Sequence, residues 1–166
     1  MVLIRPGLEY ESSYRSYIRE LGEEERYPFP LDFEHADFPA LVRRLHNLSE
    51  GIGVAEGFVA STTFWLVDGG DIVGISNLRH HLNARIEHRG GHIGLGVRPS
   101  CRGQWLGNKL LALTIHEARV RGIGEIHIHC LKSNLASARM IVRNGGMLHS
   151  EVMDDGLEGA IQRYRV

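Results

Sequence analysis

Apolar residues recur along this chain in two periods, and the alternation between them sets out its elements. A short apolar pair, Leu3-Ile4, precedes Pro6 and suggests a first strand. Tyr10, Tyr14, Tyr17, Ile18 and Leu21 fall along one side of a helix over 9–21, and Leu41, Leu45 and Leu48 along a second over 38–48. Between them, two prolines keep the aromatic segment 27–33 extended. Residues 62–67 and 72–78 are β-branched and strand-like, joined at Gly69-Gly70 by a tight hairpin turn. The polar run 80–89 reads as a loop or an extended strand end. A glycine-bearing strand follows over 91–97.

Helical spacing then returns in two rows, Leu106, Leu110 and Leu113 beside Leu111, Ile115 and Ala118, over 107–121. A strand over 125–130 sets Ile126 and Ile128 against His127 and His129. Asn134 can cap the next helix, which carries Met140 and Val142 and stops at Gly145-Gly146. Two strands, 147–153 and 159–166, turn at Asp154-Asp155-Gly156. The order βααβββαβαββ has no internal repeat and argues for one α/β domain over 1–166, a mixed sheet flanked by helices.

Composition narrows the function classes. The chain has 166 residues, enough for a substantial core. Its apolar runs fall short of the roughly 20 residues that span a bilayer, and it opens on no signal-like segment. Cys101 and Cys130 suggest no disulfide framework, so a reducing cytoplasm is the expected location. A net charge of −1 gives no general attraction to nucleic acid or an anionic membrane. Ten histidines invite a metal reading, yet their spacing matches no strong Cys/His motif, and surface or hydrogen-bonded histidines are the expectation.

The candidate chemistry centres on residues 94–109, Gly-Leu-Gly-Val-Arg-Pro-Ser-Cys-Arg-Gly-Gln-Trp-Leu-Gly-Asn-Lys. A strand ends near Pro99, a turn bearing Gly103 comes next, and a helix begins near Gly107. Several free backbone N–H groups then surround one point, which suits a phosphate or pyrophosphate. A plain strand–helix turn that binds nothing has the same composition.

The run Val97-Arg-Pro-Ser-Cys-Arg102, with Leu106-Gly107 opening a helix, resembles the acetyl-CoA signature of the Gcn5-related N-acetyltransferases. Asn134 opening a helix that ends before Gly145 resembles that family's second signature. Residues 61–67, 76–80 and 90–94 are similar to a group of bacterial predicted acetyltransferases, so the resemblance covers most of the chain. It implies a mostly antiparallel sheet with a splayed fourth strand, and acetyl-CoA as cosubstrate. By the same resemblance, backbone groups of Leu95, Gly96 and Val97 would hold the pantetheine arm. Arg102, Gly103, Gln104, Trp105, Leu106, Gly107, Asn108 and Lys109 would form the phosphate loop. Asn134 and Ser137 would reach the arm or only form the helix cap.

Two positions depart from the family pattern. Trp105 stands where the loop normally has its first glycine; if the backbone there has positive φ, the indole costs roughly 1–2 kcal/mol. Ile141 stands where many relatives carry a tyrosine that protonates the leaving thiolate, and Gly91 where some carry a glutamate base. His92 and Glu87, at or just before the fourth strand, are the candidate bases. The reading is transfer of an acetyl group to a small-molecule or peptide amine by direct attack in a ternary complex. A non-catalytic domain that senses CoA or binds a partner, and transfer of another acyl group, are the alternatives. Exposed terminal strands leave a homodimer open.

Overall fold

A computed structural model describes residues 1–153 and 159–166; the turn expected at Asp154-Asp155-Gly156 lies outside them. Strand β1 (Val2–Ile4) leads to α1 (Glu11–Leu21) and α2 (Phe38–Ser49). The hairpin β2 (Ser61–Asp68) and β3 (Asp71–Arg79) comes next, then α3 (Ala84–Arg89) and β4 (Ile93–Val97). The second half contains α4 (Leu106–Val120), β5 (His127–Leu131), α5 (Leu135–Arg143), β6 (Met147–Met153) and β7 (Ala160–Arg165). Among the described residues no helix is long and apolar enough to cross a membrane.

Side-chain alternation on the central strands builds two cores. On β2, Trp65 and Val67 face α1 and α2, where Tyr14, Tyr17, Phe38 and Leu41 are fully buried with them. Phe64 and Leu66 face the opposite way, toward α4, whose Leu110, Leu111, Ile115 and Ala118 close that side. Both helical rows read along α4 therefore pack inward. The hairpin turn is formed by Gly69 and Gly70, both with positive φ, as a two-residue loop between paired Asp68 and Asp71 requires. A buried bond between Ser76 Oγ and Thr114 Oγ1, 2.7 Å long, ties β3 to α4.

The run 80–89, expected to be loop or extended, contains α3. Its start is fixed by Asn83, whose Oδ1 accepts from the Ile86 N–H at 2.9 Å, and its single buried side chain is Ile86. One inward residue in six leaves no period to read in the sequence.

Antiparallel pairing links β1-β2-β3-β4 in one sheet and β5-β7-β6 in another. The sheets meet where β4 starts. Gly91 bridges to Ile128, the His92 N–H donates to the His127 carbonyl at 2.7 Å, and His92 Nδ1 accepts from the His127 N–H at 3.0 Å. Beyond that point β4 pairs with β3 alone. Bonds from Arg79 N–H to the His92 carbonyl and from Arg98 N–H to the Val73 carbonyl fix the parity of that pairing. Gly94 and Gly96 thus turn their backbone groups to β3, while Ile93, Leu95 and Val97 turn theirs to the open edge.

Gly91 has φ +64°, and a Cβ there would stand 2.6 Å from the His127 carbonyl oxygen. Gly91→Ala should cost at least about 1–2 kcal/mol from the left-handed backbone alone, before the clash is counted. Denaturant unfolding measures this, and an unchanged midpoint would refute the close approach.

Candidate active site

The open edge of β4 runs into the loop that the sequence singles out. After Val97 the chain makes a 3-10 turn at Pro99–Cys101 and an extended step at Arg102. It then turns through Gly103 at φ +76° and Trp105 at φ 62°, ψ 4°. Trp105 is the one non-glycine residue with positive φ among the described residues. The glycine-like geometry of this position is therefore kept by a tryptophan. Its indole leaves the loop interior: it is 64% exposed, and the Arg143 guanidinium lies over its ring at 4.4 Å. Such an exposed stack contributes about 0.5–1 kcal/mol, which offsets part of the backbone strain.

The first-turn N–H groups of α4, at Leu106, Gly107 and Asn108, have no partner within the helix, and the helix dipole adds positive potential there. At Gly107 a Cβ would stand 3.1 Å from Met140 Sδ and 3.6 Å from Val97 Cγ2, so glycine lets α4 begin close against β4 and α5. Asn108 Oδ1 is buried without a partner. Gln104 is exposed and bonds the Ser100 carbonyl, and Lys109 is exposed.

Two carboxylates, Glu20 on α1 and Glu24 in the turn after it, reach the same loop. Glu24 holds Arg102 through both oxygens, at 2.6 and 3.1 Å, while Arg102 Nε also donates to the Val97 carbonyl. Glu20 accepts from Arg98 Nε at 2.6 Å and from the Ser100 N–H. Burial alone would raise the Glu20 pKa, but the bonds from Arg98 and Ser100 outweigh it and bring the carboxyl down to about 2. The Ser100 N–H is thus already occupied, and the positions free for an anion begin further along the loop.

Beside β4 a cleft of about 770 Å³ opens between the aromatic segment and β5. Tyr27, Phe29, Phe33 and Phe58 form one wall; Arg79, Ile86, His129 and Leu131 contribute to the others. Tyr27 lies directly on β4. A Cβ at Gly94 would stand 2.7 Å from its hydroxyl, and one at Gly96 would overlap its carbonyl oxygen. Both glycines thus make room for the segment, while the strand's free backbone groups face the open edge. Tyr27 is 41% exposed overall, yet burial of its hydroxyl raises its pKa, against the opposing charge of Arg79 beside it.

Asn134 and Ser137 also line the cleft, with Asn134 Oδ1 accepting from the Ser137 N–H at 3.0 Å as the cap of α5. Leu95, Gly96 and Val97 form the adjoining strand. Leu95 and Val97 turn their backbone groups to the open edge, whereas Gly96, expected to act with them, turns its groups to β3, and Arg102 is held by Glu24.

The two expected bases sit elsewhere. His92 is 6% exposed, its Nδ1 is occupied by the His127 N–H, and burial with nearby His127 and Arg79 lowers its pKa to about 4. Glu87, exposed on α3, faces a separate small hollow with His127 and His149. Ile141 is fully buried in the core, so that position offers only packing. The cleft residues that sequence reasoning did not place there are Arg79, at the end of β3, and His129, in the middle of β5. Burial lowers the His129 pKa to about 3, and neither ring nitrogen makes a hydrogen bond of standard geometry, although the Arg89 backbone nearby favours the charged form. Among the described residues no three histidine, cysteine or acidic side chains gather to hold a metal ion.

The family model for the acetyltransferase (GNAT) family matches residues 15–146. The chain belongs to that family. No curated protein matches it. Among solved structures it is similar to a GNAT-family acetyltransferase from Streptococcus pneumoniae, with 14% identity over 99% of this chain and 98% of that one and a TM-score of 0.68. A putative acetyltransferase from Salmonella typhimurium, held with its cofactor acetyl-CoA, shares 14% identity over 99% and 92% of the two chains, with a TM-score of 0.66. A spermidine N-acetyltransferase chimera built from a Vibrio cholerae enzyme shares 12% over 100% and 96%, with a TM-score of 0.69. These likenesses establish the fold; the residues above are this chain's own.

The buried histidines make stability depend on pH. Burial holds His80 and His92 near pKa 4 and His129 near 3 in the folded chain, against about 6.5 when unfolded. Between about pH 4 and 6.5 the unfolded chain binds more of these protons, so stability rises with pH across that window and levels off above it. Urea midpoints measured from pH 4.5 to 7.5 should show this, and His92→Gln, whose amide oxygen can still accept, should flatten the slope. Separately, Trp105→Gly should leave the melting temperature unchanged or slightly raised, because relief of the left-handed strain opposes loss of the Arg143 stack. A clear drop would mean that the indole supports the loop.

Proposed function

We propose that this chain transfers an acetyl group from acetyl-CoA to an amine that enters the aromatic cleft. The observation that carries the reading is the continuity of the donor path. N–H groups of Gly103 to Asn108 meet the pyrophosphate at the positive end of α4, and the open backbone of Leu95 with the Val97 N–H meets the pantetheine arm. Asn134 and Ser137 stand at the reacting end. Family membership supports acetyl-CoA as donor, and the match to a fold held with acetyl-CoA supports the same placement.

In this reading the neutral amine attacks the thioester carbonyl, whose oxygen takes up negative charge beside the β4 backbone N–H groups. The C–S bond then breaks, CoA leaves as a thiolate, and the amine proton passes to water in the cleft. The thiolate is a fair leaving group, with a pKa near about 8.5 by analogy with cysteine. Tyr27 supplies a hydroxyl over Gly94, on the strand that would carry the thioester, and its raised pKa keeps it protonated as a hydrogen-bond donor to the departing sulfur. It thus serves from the aromatic segment where Ile141 cannot.

Calorimetric titration with acetyl-CoA should give micromolar binding, and a panel of amines should identify one that releases free thiol. Tyr27→Phe should lower kcat by about tenfold or more while leaving the acetyl-CoA Kd within about twofold. No binding at millimolar acetyl-CoA would refute the donor site. An unchanged kcat in the variant would remove Tyr27 from the chemistry.

A further inference from the structure

The acceptor end of the cleft holds a cation that has no carboxylate. Arg79 stands at the end of β3, half-buried, with Nη1 donating to the Gly91 carbonyl at 2.8 Å and to the Gly90 carbonyl at 3.3 Å. Phe29 lies beside its guanidinium at 5.8 Å, and the phenol of Tyr27 is its side-chain hydrogen-bonding partner. Among the described residues no acidic side chain pairs with it. Other arginines of this chain differ: Arg98 and Arg102 each hold a carboxylate at 2.6 Å. Two neutral carbonyls and a phenol orient Arg79 without neutralising it. A guanidinium removed from water stays charged, so the uncompensated charge is available to a ligand anion.

On the rest of the cleft lining arginines outnumber carboxylates, Arg26, Arg85 and Arg89 against Glu25 and Asp32. Arg26 also lines the cleft and donates to the Ile18 and Gly22 carbonyls; Arg85 lies over the Phe58 ring at 5.7 Å. The acidic side chains on the described lining, Glu25 and Asp32, are exposed. A polycationic amine entering this space would meet arginines on several sides, at a like-charge cost. The apolar surface comes from Phe29, Phe33 and Phe58, which accommodate a hydrocarbon body. A planar guanidinium fork matches the two oxygens of a carboxylate.

Resting on the acetyl-transfer reading, we infer that the acceptor is an amino carboxylate with an apolar side chain, of the free amino-acid type, and that Arg79 binds its carboxylate. Arg79 is then a specificity-determining residue: it fixes one end of the acceptor, and the aromatic wall takes the side chain. The amine is left to point along β4 toward the thioester.

The test uses the acetylated product and needs no turnover. Protein saturated with CoA, and protein without CoA, are titrated with N-acetylleucine and with N-acetylleucinamide, which differ only in the carboxylate. N-acetylleucine should bind about tenfold tighter or more. Arg79→Gln should bring the ratio near one while the CoA Kd and the melting curve hold, and Arg79→Lys should restore part of the preference. Equal binding of the two probes to the wild-type protein overturns the inference, as does a preference that survives Arg79→Gln. If Arg79→Gln does not fold, the wild-type ratio and the Arg79→Lys value decide. Thiol release from spermidine or leucinamide as fast as from leucine overturns the inference and leaves acetyl transfer standing. A preserved binding ratio with no thiol release from any amine overturns acetyl transfer and leaves the carboxylate site.

Discussion

Backbone N–H and C=O groups that leave water must find partners, and this fold is arranged around a strand that leaves one edge without them. From Ile93 to Val97, β4 pairs only with β3, because β5 departs after the reciprocal bonds at His92 and His127. The departure rests on Gly91, whose left-handed backbone allows the two strands to touch once and then separate. The segments after β4 answer the same requirement. The chain turns back at Pro99, places the positive end of α4 beside the open edge, and brings the start of α5 to its other side. A ligand with amide groups and a phosphate tail would complete the sheet and neutralise the helix end together.

The two halves of the site are mechanically joined by charge. Helix α1 contributes Tyr14 and Tyr17 to the first core, and Glu20 near its end and Glu24 just beyond it reach the loop arginines. The Arg102 pair is well exposed and stabilises little by itself. The Arg98 pair is more enclosed, and Ser16 adds a bond from α1 to the same guanidinium. The helix before the aromatic segment is therefore fastened to the loop that leads into α4. A shift of one would be felt by the other without any large domain movement.

Much of this is readable in the sequence because its strongest elements are long and cleanly periodic. The rows on α4 bury where their spacing indicates, the strand-like run 62–67 falls within β2, and the hairpin turns at Gly69-Gly70. The loop at 102–107 reads from its composition as an anion site, the role proposed for it above, and its departure at Trp105 is legible as a question of backbone φ. Other features depend on tertiary approach, which leaves little local trace. Helix α3 has one inward residue. The division of the sheet depends on where β5 stops pairing with β4. Arg79 ends a strand much like any polar residue at a strand end, and only the folded chain places its guanidinium among Phe29, Tyr27 and two carbonyls. His92 shows the converse: its residue type suits a base, and its position assigns its nitrogen to a backbone bond.

Trp105 has one more consequence, an optical one. The chain has two tryptophans, and the fold puts them in opposite surroundings: Trp65 is sealed in the core among Tyr14 and Phe38, and Trp105 stands in solvent on the loop before α4. Indole emission shifts to longer wavelength in water, so the two rings give separable signals. The core ring reports whether the chain is folded. The loop ring, with a cation across its face, reports what approaches α4, so the protein carries its own dye at the mouth of the proposed donor site.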